Sequence, residues 1–214
     1  MKRTILLLLS VFTCATFASG QIVTWNFENT TDATSVADGI YASSVNISSG
    51  SFRFQSGEGG MIGYGSHWSQ SSDLDKYLEF SISADAGYSF DISSFSLQLG
   101  RTGSGPQHFT LQYSFDGFSS SVFTIGSGSI TSTNSNSLDS FNLSGNLPID
   151  SVTGTITFRL YGHDASSTGN LRVNDFEIFG SITSLSAIPE PSTYTAIIGI
   201  FSLGFLLWRR RVKP

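Results

Sequence analysis

Cysteine is almost absent from this 214-residue chain. The single one, Cys14, falls inside an N-terminal apolar segment. Beyond that segment there is nothing to form a disulfide or a thiolate metal site. Phe12 and Thr13 before Cys14 are not lipobox residues, which argues against a lipid anchor there. Positive charge is also scarce where it would matter. Two of the eleven Lys and Arg open the chain (Lys2, Arg3) and four close it (Arg209, Arg210, Arg211, Lys213). Only Arg53, Lys76, Arg101, Arg159 and Arg172 lie between residues 21 and 188. Set against fifteen Asp and Glu, these five leave that stretch with a net charge of −10. Phosphate recognition needs a basic footprint, so no nucleic-acid partner is expected. The acid surplus suits a soluble, secreted body and offers hard oxygen ligands of the kind calcium takes.

Familiar catalytic signatures are missing too. Gly57-Glu58-Gly59-Gly60-Met61-Ile62-Gly63 has neither the lysine of a phosphate-binding loop nor a following helix, and reads as a loop. No Gly-x-Ser-x-Gly elbow joins a strand to a helix. Gly126-Ser127-Gly128-Ser129 runs on into more Ser and Thr. His67, His108 and His163 are far apart and near turns. His163 and Asp164 are adjacent, and neighbours on a strand point to opposite faces, so the pair reads as surface residues. Fifteen acids make some carboxylate pair inevitable, but sequence places none of them in a cleft. The expectation is therefore a protein that is not an enzyme, with a secreted hydrolase as the least favoured alternative.

What is present begins with the ends. Residues 1–20 have a basic start at Lys2 and Arg3 and an apolar core from Ile5 to Leu9, extended by Val11 and Phe12. Ala18-Ser19-Gly20 is a small-residue cleavage site, so a signal peptide ending before Gln21 is expected. At the other end, Pro189-Glu190-Pro191 precedes an apolar stretch from Tyr194 to Trp208, then Arg209-Arg210-Arg211. That stretch reads as a single transmembrane helix. Fifteen residues rise about 22 Å, short of a hydrocarbon core of about 30 Å, with Tyr194 and Trp208 at the interfaces. The arginines would stay cytoplasmic and residues 21–188 outside.

This tail resembles the PEP-CTERM sorting signal over residues 188–213. The resemblance implies recognition through Pro189, Glu190 and Pro191, a stop at Arg209, Arg210 and Arg211, and processing by an exosortase. It further implies a Gram-negative bacterium that makes exopolysaccharide. Export would pass through an inner-membrane intermediate to the outer cell surface or the extracellular matrix, with association with exopolysaccharide or biofilm. An ordinary single-pass anchor is the competing reading.

Between the ends, apolar and polar residues alternate with period two. Strands are predicted at 77–83 (Leu78, Phe80 and Ile82 inward), 94–99, 109–116 and 155–161. Shorter ones are predicted at 22–27, 51–55 and 121–126. In 171–179 the apolar phase slips by one residue around Asn174-Asp175, which predicts a β-bulge. The pieces Ser56 to Gly65, Gly100 to Pro106, Ser127 to Ser137 and Gly162 to Gly169 read as turn-rich loops. No convincing helical period and no internal repeat interrupt the body. The expected fold is all-β, an antiparallel β-sandwich of jelly-roll type over residues 21–185, followed by the sorting region 186–214.

The body resembles the jelly-roll domains common in PEP-CTERM proteins, which are similar to non-catalytic carbohydrate-binding modules. The resemblance rests on Trp25-Asn26-Phe27-Glu28, Tyr77-Leu78-Glu79-Phe80 and Ser114-Phe115-Asp116-Gly117-Phe118. Phe158-Arg159-Leu160-Tyr161-Gly162 and the closing segment from Val173 to Gly180 complete it. It implies a structural calcium where the first and last strands meet, with Glu28, Asn174 and Asp175 as ligands. A glycan-binding role is the alternative to a structural or adhesive one. For it, His67 and Trp68 are the candidate sugar-stacking residues, with Tyr64 and Tyr161 behind them. The competing reading is that Trp68 tucks into the edge of the core.

Overall fold

A computed structural model describes residues 20–57, 60–66, 68, 70, 71, 74–144, 147, 149–185 and 201. The expected signal peptide, the Pro-Glu-Pro motif, the membrane helix and the terminal arginines lie outside the described residues. Among the described residues, no helix is long and apolar enough to cross a membrane.

The described chain is all-β. Its strands are β1 (Gly20–Trp25), β2 (Ser35–Val36), β3 (Ile40–Ala42), β4 (Asn46–Ile47), β5 (Phe52–Gly57), β6 (Gly60–Gly65) and β7 (Tyr77–Ala84). They continue with β8 (Tyr88–Arg101), β9 (His108–Ser114), β10 (Phe123–Ser129), β11 (Asp139–Ser144), β12 (Thr155–His163) and β13 (Leu171–Ser184). One sheet runs β11-β8-β13-β1-β2, with β6 joining β13 to β5. The other runs β10-β9-β12-β7-β3, with β4 also on β7. The pairings are antiparallel.

Alternation explains the layering. Leu78, Phe80 and Ile82 of β7 are buried, as are Ile156, Phe158 and Leu160 of β12 and Phe109, Leu111 and Tyr113 of β9. They meet Trp25, Phe95, Leu97, Leu99, Phe176 and Ile178 of the facing sheet, making a β-sandwich with one core. Aromatic rings bridge the sheets. Phe80 meets Phe176 at 4.5 Å and Trp25 at 5.0 Å between centroids, and Phe95 meets Phe158 at 5.4 Å. Edge-on and tilted ring pairs add to the area they bury. Trp25 is wholly buried, and its indole N–H donates to the Ser43 carbonyl at 3.0 Å. Its one polar atom is therefore satisfied, as burial demands.

The predicted bulge is present. The β13–β8 register shifts between Asn174 and Glu177, and Asp175 has φ 41°. Other expectations need correction. Ser56 to Gly65 is not simply a loop, because most of it is a β5–β6 hairpin, with Arg53 opposite Tyr64 and Phe54 opposite Gly63. Its glycines gave no alternation to read. Strand β10 continues to Ser129, inside what reads as a loop. Phe115 lies beyond the end of β9 and is exposed.

The sandwich is closed along its sides. Strand β10 edges one sheet and β11 the other. Gly126 and Gly128 of β10 leave room for Leu143 and Phe141 of β11, where an added Cβ would lie 2.9 and 3.1 Å from those side chains. On the opposite side, β2, β3 and β4 are only two or three residues long.

Candidate functional site

Of the residues named from sequence as a sugar platform, Trp68 and Tyr161 are buried. Trp68 is 2% exposed, and its indole N–H donates to the Gly65 carbonyl at 2.6 Å. It plugs one end of the core between Gly65 of one sheet and Gly162 of the other. A Cβ on either glycine would come within 2.8–2.9 Å of the indole. Burial withholds the ring face that stacking requires, so the structure supports the core-edge reading of Trp68. Tyr161 is on the opposite side of β12 from Gly162, on the outer face of its sheet. His67 and the side chain of Tyr64 lie outside the described residues.

The outer face of the β10-β9-β12-β7-β3 sheet gathers a different set. Strand alternation turns Tyr77, Glu79 and Ser81 of β7 outward beside Tyr161, Arg159 and Thr157 of β12, each directly opposite its partner. Arg159 Nε donates to Glu79 Oε2 at 2.7 Å. The guanidinium lies 4.1 Å from the ring centroid of Tyr77 and 4.1 Å from that of Phe118, so it is sandwiched between two aromatic faces. Tyr77 meets Tyr161 edge-on at 5.3 Å. Burial pushes the Tyr161 phenol above its ordinary range, so it stays protonated at neutral pH.

Phe118 reaches this position from the β9–β10 loop, where it adopts φ 65°. Asp116 holds the loop. Its carboxylate accepts from the Ser114 hydroxyl at 2.6 Å and the Ser120 hydroxyl at 2.6 Å. It also accepts from the backbone N–H groups of Ser119, Ser120 and Ser121 at 3.0–3.1 Å. The Ser114 and Ser120 bonds, with those backbone donors, hold its pKa far below the usual carboxylate range.

Beside the Arg159 sandwich is a depression of about 190 Å³ lined by Ser43, Asn46, Glu79, Phe80, Ser81 and Thr157. It forms where the edge between β3 and β4 leaves β7. There the Ser43 hydroxyl accepts the Ser81 N–H at 2.8 Å. Farther across the same face, the Gln112 amide donates to Thr124 at 3.4 Å.

A polar cluster closes the end of this face. The His108 and His163 rings stack at 5.7 Å. His163 Nδ1 is 2.7 Å from Asp164 Oδ2, and its Nε2 is 3.3 Å from the Thr110 hydroxyl. The adjacent pair therefore does meet, contrary to the strand rule, because Asp164 leaves the strand with φ 57°.

The first and last strands also come together as expected. Asp175, at the β13 bulge, is pushed above the usual carboxylate range by burial and then by the charge of Glu28. Asn174 is 9% exposed and donates to Gln98 at 3.4 Å and to Asp175 at 3.2 Å. Phe27 and Asn29 flank Glu28 with φ 55° and 73°. A partly buried carboxyl whose ionisation is disfavoured by burial and by a neighbouring acid, next to an amide oxygen, offers oxygen donors of the kind a hard cation takes. Among the described residues no group of three or more His, Cys, Asp or Glu is placed to hold a metal ion, so carbonyls would have to complete the set.

Tyr77, Glu79, Arg159 and Phe118 were missed as a site because sequence reasoning sought aromatics in loops. The available signal was the outward phase of β7 and β12, where aromatic and opposite charges alternate with core residues.

No family model matches the chain, and no curated protein matches it. Several solved structures are similar to this chain. The CBM22-1 xylan-binding domain from Paenibacillus barcinonensis has a TM-score of 0.47 at 12% identity, covering 78% of this chain and 98% of that one. The CBM22-1–GH10 modules of the Clostridium thermocellum endo-1,4-beta-D-xylanase 10B give 0.45 at 15% identity, with 75% of this chain matched to only 28% of that longer one. The family 11 carbohydrate-binding module of a cellulosomal cellulase of Clostridium thermocellum gives 0.42 at 16%, over 77% and 96%.

Proposed function

We propose that this chain is an exported, non-catalytic surface protein whose β-sandwich binds glycan through the outer face of the β10-β9-β12-β7-β3 sheet. The observation that carries the reading is the aromatic–polar surface built by Tyr77, Arg159, Glu79 and Phe118 beside the oxygen-lined depression at Ser43, Asn46, Ser81 and Thr157. Sugars are recognised by flat aromatic contacts together with hydroxyl and amide partners, and this face supplies both. Retention of the full chain, in mild detergent, on immobilised polysaccharides tests it. Tyr77→Ala should lose retention and Trp68→Phe should keep it, whereas equal retention of wild type and Tyr77→Ala would discard this face.

The ends support the cellular half of the proposal. A signal peptide delivers the body across the inner membrane, and the Pro189-Glu190-Pro191 tail is cut by an exosortase, leaving the body at the surface with exopolysaccharide. Intact mass of the surface-exposed species checks this, since a mature form still carrying Trp208 would leave only a plain anchor.

A structural calcium at Glu28, Asn174 and Asp175 is part of the same proposal. The burial of Asp175 and the charge of Glu28 upon it support the calcium. Bound there, the cation would cancel that repulsion and tie the first strand to the last.

A further inference from the structure

We infer that the glycan this face takes is an uncharged polysaccharide, and that the face rejects anionic chains; the inference rests on the glycan-binding reading above. The body is strongly acidic, yet this face carries one cation and one anion close to its centre, and they neutralise each other. Arg159 gives its Nε to Glu79 at 2.7 Å and both its flat sides to rings at 4.1 Å. A uronate, sulfate or phosphate on a sugar chain needs an accessible guanidinium or ammonium, preferably in bidentate geometry. Arg159 already holds Glu79 through its Nε, and the rings of Tyr77 and Phe118 cover the approach to its two flat sides.

The other cations do not substitute. Arg101 donates to the carbonyls of Ile130, Thr102 and Gly103. Arg172 donates to the Thr133 carbonyl, Lys76 has a partner of its own, and Arg53 is on β5 of the facing sheet. The body as a whole carries ten more acids than bases between residues 21 and 188. An approaching polyanion therefore meets a repulsive field with no local cation to offset it.

What the face does offer is neutral hydrogen bonding. Ser43, Asn46, Ser81 and Thr157 line the depression, and Gln112 and Thr124 extend the row. A carboxylate accepts several hydrogen bonds, so Glu79 can take a sugar hydroxyl while it holds Arg159. Hydroxyls that donate and accept match this set, and a second carboxylate beside Glu79 does not.

Affinity electrophoresis of the full chain in mild detergent tests the inference. The gels would contain neutral polymers (xylan, mannan, mixed-linkage glucan, galactomannan) or anionic ones (alginate, polygalacturonate, hyaluronate). Retardation by at least one neutral polymer and none by the anionic set is expected. Tyr77→Ala should weaken it at least about tenfold and Tyr77→Phe should preserve it. Gln112→Arg places an unpaired cation on the face and should gain anionic binding. Retardation by anionic polymers alone would overturn the inference and leave glycan binding standing. No retardation by either set would overturn both.

Discussion

Glu79 and Arg159 face each other directly across the β7–β12 ladder, joined at 2.7 Å with side chains 37% and 21% exposed. At that exposure the ion pair itself contributes little. Glu79→Gln should cost roughly 0.2–1 kcal/mol, the range for exposed cross-strand charge pairs. Arg159→Ala should cost more, about 1–2 kcal/mol, because the stem and the two ring contacts go with it. Urea unfolding of the two single variants and the double variant measures the coupling. A coupling near zero would mean that the rings, not the carboxylate, hold the guanidinium.

The Asp116 loop should respond to mutation more than to acid. Ionised Asp116 stabilises the loop at every pH above the ordinary carboxylate range. Because its folded pKa is depressed, that contribution is lost only as pH falls through a value far below that range. Asp116→Ala should lower the melting temperature and open residues 115–121 to limited proteolysis. It should also free Phe118 from Arg159, weakening glycan retention. Unchanged proteolysis would show that the serines hold the loop without the carboxylate.

The Glu28–Asp175 meeting predicts the opposite pH behaviour. Asp175 has a raised folded pKa, so the folded state favours its protonated form, and that advantage is lost as pH rises through the folded value. In EDTA at neutral pH, Asp175→Asn should raise the melting temperature by no more than roughly 2–4 °C, the group being only partly buried. Asparagine also tolerates the positive φ at this position. Excess calcium should stabilise the wild type and not Asp175→Asn, and the gain should fade on acidification. A wild-type melting temperature indifferent to both EDTA and calcium would remove the cation.

Trp68→Ala should behave as a core truncation. A buried indole replaced by a methyl costs about 3–5 kcal/mol, and the N–H bond to Gly65 is lost with it. The shift in urea midpoint should be large. A surface-like cost of less than about 0.5 kcal/mol would return Trp68 to solvent.

The long strands were legible because one face of each is wet and one is dry. Leu78, Phe80 and Ile82 announce β7, and the slip from Val173 to Phe176 announces the bulge. Strand β6 was not legible, since Gly60, Gly63 and Gly65 supply no side chains to alternate. Trp68 lay in turn-rich sequence without a period. Its inward course depends on Gly65 and Gly162, which are nearly a hundred residues apart. Half of the candidate face was visible as outward residues of β7 and β12. The other half depends on register and on Phe118 taking a left-handed conformation, neither of which local pattern encodes.

The side strands β2, β3 and β4 each stop after two or three residues. A longer bare rim would present a ladder of unpaired amides and carbonyls to the next molecule. Where copies of a folding chain meet, such a ladder seeds fibres. Splicing β3 and β4 into one uninterrupted strand would therefore be expected to turn separate molecules into aggregates, even with every core contact intact.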